Sequence, residues 1–145
     1  MKLQGTYTLQ APRQRLWELL LSPEELRECL PGCERLTRVG PDTYEATLTI
    51  GVAAVKGTYT GRLQILDQEP PSRCRLLVEG TGSPGFVRGE AVVLLSEEAA
   101  GTTLAIAADA QVGGLIASVG QRMLGGVARM LLTEFIKRVE ARLAR

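Results

Sequence analysis

The sequence contains no histidine among its 145 residues. That absence removes the commonest general base, the commonest metal ligand and every Ser-His or Cys-His nucleophilic pair. Asparagine is missing as well, and aromatic residues make up only 4% of the chain. Catalysis would have to rely on carboxylates, lysine or cysteine, so the composition favours a binding protein over an enzyme.

An excess of either charge is also lacking. Lys and Arg together number 17 and Asp and Glu 16, which gives a net charge of +1. The basic residues are scattered, so we expect no nucleic-acid partner. The N-terminus turns polar directly after Met1, and 3 cysteines do not suit a disulfide framework. These features predict a cytoplasmic protein.

A long uncharged hydrophobic run is missing too. The most apolar stretch extends from Leu115 to Leu143, but Arg122, Arg129 and Glu134 are among the charges that interrupt it, so it does not suit a membrane span. On a helical wheel most of its charges share a narrow arc, and the rest of the circumference is mostly apolar. This pattern predicts one helix over Leu115–Leu143 that is buried on two sides.

Period-two alternation predicts the strands. The first covers Lys2 to Gln10, and two short helices follow it, one over about Arg13 to Leu21 and one that starts at Ser22-Pro23-Glu24-Glu25. Serine as N-cap, proline in the first turn and acidic residues against the helix dipole are typical of a helix start. From Cys33 onward, turn residues divide the alternating pattern into six further strands.

The order of these elements predicts one α+β domain over residues 1–145, in which a curved seven-stranded antiparallel sheet surrounds the long C-terminal helix. The predicted inner face is rich in small residues, among them Gly57, Gly61, Gly80 and Ala108. Such residues do not fill the space that a wide sheet encloses, which predicts a hollow for a ligand. The alternative is that the glycines only permit strong sheet curvature.

This arrangement resembles the helix-grip, or START-like (SRPBCC), superfamily. Some strings are similar to one branch of it, the CoxG family, which is named for an accessory component of carbon monoxide dehydrogenase. The similar strings are Ala11-Pro12 followed by Trp17, then Cys29-Leu30-Pro31-Gly32-Cys33-Glu34, and Asp109-Ala110-Gln111-Val112-Gly113-Gly114. Their order and spacing match across nearly the whole chain, so the sequence is identified as a member of that family.

The resemblance implies an accessory protein, not a catalyst. Family members are associated with aerobic, molybdenum-dependent carbon monoxide dehydrogenases and related hydroxylases, and they are proposed to link the enzyme to the membrane or its quinone pool. Longer members carry a C-terminal linker and a hydrophobic tail, whereas the sequence here ends at Arg145. We therefore expect at most a peripheral contact at the inner face of the membrane.

Cys29 and Cys33 flank a Pro31-Gly32 turn at a spacing that would suit a metal or redox pair. Zinc or an iron–sulfur cluster would need more Cys or His ligands, and only Cys74 remains. We therefore expect no metal and no cofactor. The sulfurs are expected to pack in the core, and the resemblance implies that the turn lies at the mouth of the hollow.

Strand parity and the apolar stripe of the helix predict side chains that face one another across the hollow. The candidate ligand-binding residues are Tyr44, Leu48, Tyr59, Leu63, Leu76, Val78, Phe86, Met123, Val127, Met130, Leu131 and Glu134. Glu134 interrupts the stripe and has two interpretations. Either it is buried and hydrogen-bonds a ligand, or the helix has left the sheet by that point and the carboxylate is solvated.

Three functions fit this sequence. The first is a non-enzymatic carrier of a hydrophobic small molecule, such as a quinone or a lipid, that serves a molybdenum hydroxylase. The second is a cyclase- or hydrolase-type enzyme that uses the same hollow. The third is a structural adaptor without a ligand. The absence of histidine and of any nucleophile–base motif favours the carrier.

Overall fold

A computed structural model describes the backbone of residues 1–145 and every side chain except that of Ala53. Over these residues the chain forms seven strands, three α-helices and two short 3-10 helices. The strands are β1 (Lys2–Leu9), β2 (Cys33–Gly40), β3 (Thr43–Ile50), β4 (Gly57–Glu69), β5 (Arg73–Gly82), β6 (Gly85–Glu98) and β7 (Gly101–Gly113). The α-helices are α1 (Arg13–Leu20), α2 (Pro23–Cys29) and α3 (Gln121–Leu143), and the 3-10 helices cover Ala53–Val55 and Leu115–Val119.

The strands form one antiparallel sheet in the order β1-β7-β6-β5-β4-β3-β2. From β2 to β7 each strand pairs with the next along the chain, as short turns require. β1 and β2 are consecutive in sequence but lie at opposite edges, and α1 and α2 connect them. The predicted seven-stranded sheet, the two short helices and the C-terminal helix are confirmed.

Alternation determines which way each strand faces. In β1 the residues Leu3, Gly5, Tyr7 and Leu9 are the less exposed ones, and Leu9 is completely buried. Next to it, the hydroxyl of the buried Thr102 donates to the carbonyl of Ala11 at 2.7 Å. This bond ties the segment before α1 to β7, so that α1 starts beside the concave face of the sheet.

The predicted helix start at Ser22 is confirmed, because the Glu25 N–H donates to the Ser22 hydroxyl at 3.4 Å. Glu25 then joins the three helices. Its carboxylate accepts from Arg15 of α1 at 2.7 Å and from Arg142 of α3 at 3.3 Å. Both guanidinium groups favour the charged form, Arg15 most strongly, and lower the pKa of Glu25.

The long helix begins later than the sequence predicts. Leu115–Val119 is a 3-10 helix, and α3 starts only at Gln121. Gly120 lies between them with φ at +97°, a conformation that glycine adopts without strain and that ends the first segment. No helix in the described part of the chain combines the length and the apolarity needed to cross a bilayer.

Two apolar clusters hold α3 in place. The C-terminal half contributes Ile136 and Val139 to the main cluster, which also contains Leu9, Leu16 and Leu19. The N-terminal half contributes Leu124 to a smaller cluster built around Val55 and Ile116. Between the two clusters α3 passes over the middle of the sheet and leaves an open space beneath it.

Candidate ligand-binding cavity

A cavity of about 430 Å³ lies between α3 and the concave face of the sheet. Helices α1 and α2 and the turn after α2 close one side of it with Trp17, Leu20, Leu21, Leu26, Leu30 and Pro31. The sheet supplies side chains that include Leu36, Leu48, Tyr59, Leu63, Leu76, Val78 and Ile106, and α3 covers them with Leu131, Leu132 and Phe135. The predicted hollow is therefore present as a space with an apolar lining.

Gly80 marks the open space directly. A Cβ atom at this position would meet no other atom within 4 Å, although Gly80 is paired on both sides within the sheet. Gly61, its partner in β4, differs, because a Cβ there would overlap the carbonyl oxygen of Glu79. At Gly57 a Cβ would press on the ring of Pro84, 2.8 Å away. Gly80 thus borders open space, whereas Gly61 and Gly57 permit close contact with neighbouring atoms.

The turn between α2 and β2 borders the cavity with Leu30 and Pro31. Gly32 completes this turn with φ at +73°, and a Cβ there would overlap the carbonyl oxygen of Thr49. The Thr49 N–H donates to the Gly32 carbonyl at 2.9 Å, which fastens the turn to the end of β3. Val78 faces the cavity and is 40% exposed, so the apolar lining is least covered at this residue.

Few polar groups reach the cavity. Arg62 and Glu79 border it, but their charged ends form ion pairs with Glu45 at 3.4 Å and with Arg88 at 4.0 Å, in exposed positions. The Tyr59 hydroxyl donates to the carbonyl of Val55 at 2.5 Å, and burial raises the pKa of this phenol. Tyr59 is therefore a neutral group whose proton is already engaged.

The structure brings half of the predicted site residues together at the cavity. Those that line it are Leu48, Tyr59, Leu63, Leu76, Val78 and Leu131. Tyr44 shares their face of the sheet but is buried in the main cluster, with 4% of its surface exposed. That these lining residues bind a ligand is still a prediction.

The other predicted residues lie elsewhere. Phe86 is on the outer face of β6, where it pairs with Gly113 and its ring lies 5.9 Å from the Arg88 guanidinium. Met123 and Met130 are 56% and 49% exposed on the solvent side of α3. These placements correct the prediction. Phe86 alternates with the inward residues of β6 and so shares the outer face with Arg88. For the two methionines, the helical wheel of α3 is apolar on more than one side and does not show which side meets the sheet.

Val127 and Glu134 also lie outside the cavity lining. Val127 packs against the smaller apolar cluster around Ile116. The carboxylate of Glu134 forms an ion pair with Arg138 at 3.2 Å, and both side chains are nearly half exposed. The carboxylate of Glu134 is therefore solvated, but the helix has not left the sheet at this point, because Phe135 lines the cavity and Ile136 packs in the main cluster.

Sequence reasoning missed the residues that the helices contribute. Trp17, Leu20 and Leu21 line the cavity from α1 and the residue after it, and Leu132 and Phe135 line it from α3. The available signal was the spacing of Trp17, Leu20 and Leu21 at i, i+3 and i+4, which places them on one face. The same spacing fits ordinary core packing of a short helix, so it does not by itself indicate a cavity wall.

The three cysteines lie in three different environments. Cys29 is 1% exposed in the main cluster, the Cys33 thiol donates to the Arg35 carbonyl at 3.4 Å, and Cys74 lines the cavity. Burial raises the pKa of each thiol. Within the described residues, no group of three or more Cys, Asp or Glu side chains is placed to hold a metal ion.

A curved seven-stranded antiparallel sheet closed by a C-terminal helix, with two short helices after the first strand and an apolar cavity between the layers, defines a helix-grip protein. The chain belongs to the carbon monoxide dehydrogenase CoxG family, whose model matches residues 5–144. No curated protein matches the chain.

Solved structures share this fold. A conserved protein from Geobacillus kaustophilus is 40% identical, with a TM-score of 0.97 over 99% of this chain and 95% of that one. The Zhui aromatase/cyclase from Streptomyces sp. R1128 is 18% identical, with a TM-score of 0.71 over 100% and 94%. A protein from Rhizobium leguminosarum is 15% identical, with a TM-score of 0.79 over 100% and 95%. The last two show the fold alone.

Proposed function

We propose that this protein is a non-enzymatic accessory protein that carries a hydrophobic small molecule, a quinone or a lipid, in its cavity. The observation that carries the proposal is the apolar space of about 430 Å³ beneath α3. Its size lies within the range of roughly 300–1,000 Å³ that is usual for small-molecule sites. Membership of the CoxG family supports association with carbon monoxide dehydrogenase, and the partner we propose is an enzyme of the molybdenum-dependent type.

The lining supports a lipophilic cargo on energetic grounds. Transfer of apolar surface from water contributes about 25 cal/mol per Å², so each further 50 Å² of buried hydrocarbon adds about 1.3 kcal/mol. That amount corresponds to somewhat less than a tenfold gain in affinity. Because this driving force is not directional, the chain of the ligand is bound tightly but with little selectivity. We propose that loading takes place in the cytoplasm, at the inner face of the membrane.

The cyclase-type alternative has the shared fold in its favour, but a fold does not determine a reaction. An enzyme in this cavity would need an acid or base that reaches the substrate. Arg62 and Glu79 are paired on the exposed side of the sheet, Glu134 is paired on α3, and the Tyr59 proton is engaged by Val55. This arrangement supports a carrier over an enzyme.

The test is a titration with a short-chain isoprenoid quinone. Trp17 is the only tryptophan in the sequence and lines the cavity, so a quinone that binds there should quench its fluorescence saturably. Quinone recovered after incubation should be chemically unchanged. Native mass spectrometry of gently purified protein should show retained lipophile. If no saturable binding occurs up to the solubility limit, the carrier hypothesis is wrong and the adaptor hypothesis stands.

A further inference from the structure

Trp17 carries a hydrogen-bond donor that has no partner among the residues that the structure describes. Its side chain lines the cavity and is only 5% exposed. Among the described residues the indole N–H forms no hydrogen bond, whereas the Tyr59 hydroxyl donates to the carbonyl of Val55. Buried tryptophan N–H groups usually have an acceptor, because an unpaired buried donor is destabilising. The empty acceptor position calls for an explanation.

The indole nitrogen also retains contact with open space. In the described structure, Nε of Arg13 is the side-chain nitrogen or oxygen that is inaccessible to solvent and also lacks a hydrogen-bond partner. The indole nitrogen of Trp17 lacks a partner as well but is not inaccessible in this sense, so part of its surface remains uncovered by protein atoms. The open space that adjoins this side chain is the cavity. A ligand in the cavity can therefore supply the missing acceptor.

We propose that Trp17 selects the head group of the ligand by donating its indole N–H to a neutral oxygen acceptor, such as a ketone, ester or quinone carbonyl. This inference rests on the proposed carrier function. The acceptor is neutral because an ion would lose its hydration in an apolar lining, and the guanidinium of Arg62, which borders the cavity, is paired with Glu45 outside it. Fatty-acid anions and plain hydrocarbons are accordingly poorer ligands.

The geometry also orients the ligand. Trp17 belongs to the main apolar cluster together with Ile65 and Cys74, whereas Val78, on the same lining, is 40% exposed. The head group therefore lies at the buried end and the chain extends towards Val78. At roughly 30 Å³ for each water-sized group, the cavity of 430 Å³ holds about 14 such groups. A fused bicyclic ring and a few carbons of its chain fit, and the rest of a long chain extends beyond the cavity on the side of Val78.

The experiment compares 1-tetralone with tetralin, which share a fused bicyclic skeleton and differ in one carbonyl group. Calorimetry is performed on the wild type and on Trp17→Phe, which keeps an aromatic ring but removes the N–H. The affinity for 1-tetralone should fall about three- to tenfold more than that for tetralin, as expected for loss of one net hydrogen bond. Phe135→Leu, which changes the opposite wall, should weaken both ligands equally.

The outcomes distinguish the carrier function from the role of Trp17. If the wild type binds neither compound, the carrier function itself is wrong. If both bind and Trp17→Phe weakens them equally, Trp17 acts by packing alone and the inference is overturned. A second measurement needs no variant, because one tryptophan gives one indole N–H signal in a ¹⁵N–¹H spectrum. That signal should move downfield with 1-tetralone and little with tetralin, and equal shifts would also overturn the inference.

Discussion

Replacing Gly80 with leucine tests whether the space beneath α3 is a true void that binds the ligand. A Cβ at Gly80 meets no atom within 4 Å. The four carbons of a leucine side chain, at roughly 30 Å³ for each water-sized group, would take up about 120 Å³. That is more than a quarter of the 430 Å³ available. We expect the affinity for a short-chain quinone to fall at least tenfold.

The same substitution should leave the fold intact or strengthen it. Glycine within a strand costs about 0.5–1 kcal/mol relative to alanine. A buried leucine side chain contributes about 1.5–3 kcal/mol and loses about 0.5–1 kcal/mol of rotamer entropy. We expect the free energy of unfolding of Gly80→Leu to rise by about 1–3 kcal/mol. Urea denaturation followed by Trp17 fluorescence measures this change, because Trp17 is buried in the folded protein.

Gly51→Leu is the matched control. Gly51 is exposed, and a Cβ there also meets no atom within 4 Å, so the same side chain is added outside the cavity. This variant should bind the quinone as the wild type does. A Gly80→Leu protein that binds normally would show that the cavity is not the site. One that unfolds several kcal/mol more easily than wild type would show that the space is already packed.

Close strand contact, the Glu25 ion pairs and the cavity thiol each lead to a further prediction. Gly61→Ala should lower the free energy of unfolding by about 1–3 kcal/mol in urea denaturation, because the added Cβ would overlap the Glu79 carbonyl oxygen. An unchanged free energy of unfolding would contradict the close approach of the two strands. Arg15 lowers the pKa of Glu25 in the folded protein. The charged Glu25 carboxylate therefore stabilises the fold fully above the unfolded-state pKa of about 4.3, and this stabilisation disappears as the pH falls through the lower folded-state pKa. Glu25→Gln should therefore be less stable at pH 7 and show a shallower loss of stability between about pH 5 and pH 2 in denaturation series. Burial raises the pKa of the Cys74 thiol, so its alkylation should be slow at pH 8. Bound quinone should make the alkylation slower still, which peptide mass spectrometry would measure. Equal alkylation rates with and without quinone would place the ligand elsewhere.

Much of the fold could be predicted because the alternation of apolar and polar residues along a strand shows which face of the strand is buried. In β4 and β5 the inward residues Tyr59, Leu63 and Leu76 are the ones that the period-two pattern selects. Hairpin-length turns then leave antiparallel neighbours as the simplest arrangement. The alternation does not fix the register, because a shift by two residues preserves it, and the pairing of Gly61 with Gly80 is seen only in the structure.

The parts that could not be predicted depend on backbone conformation and on which side of a helix is covered. Gly120 and Gly126 both occur in the apolar C-terminal segment, yet Gly120 has φ at +97° and precedes α3, whereas Gly126 lies within it. Composition does not distinguish them. Met123 and Met130 belong to an apolar stripe that competes with the stripe carrying Leu132, and only the position of the sheet decides which one is buried.

The pairing of β1 with β7 determines the order in which the molecule can assemble. The ammonium group of Met1 donates to the carbonyl of Ala110, 109 residues further along the chain. At about 5–20 residues per second, the ribosome needs roughly 5–20 s to deliver that partner strand, and β1 remains unpaired in the meantime. The hairpins from β2 to β6 involve local contacts and can form first. Because α3 emerges last, a nascent chain that stops before Gln121 presents the apolar floor of the cavity to solvent as an open trough. Exposed apolar surface of this kind favours aggregation of the incomplete chain.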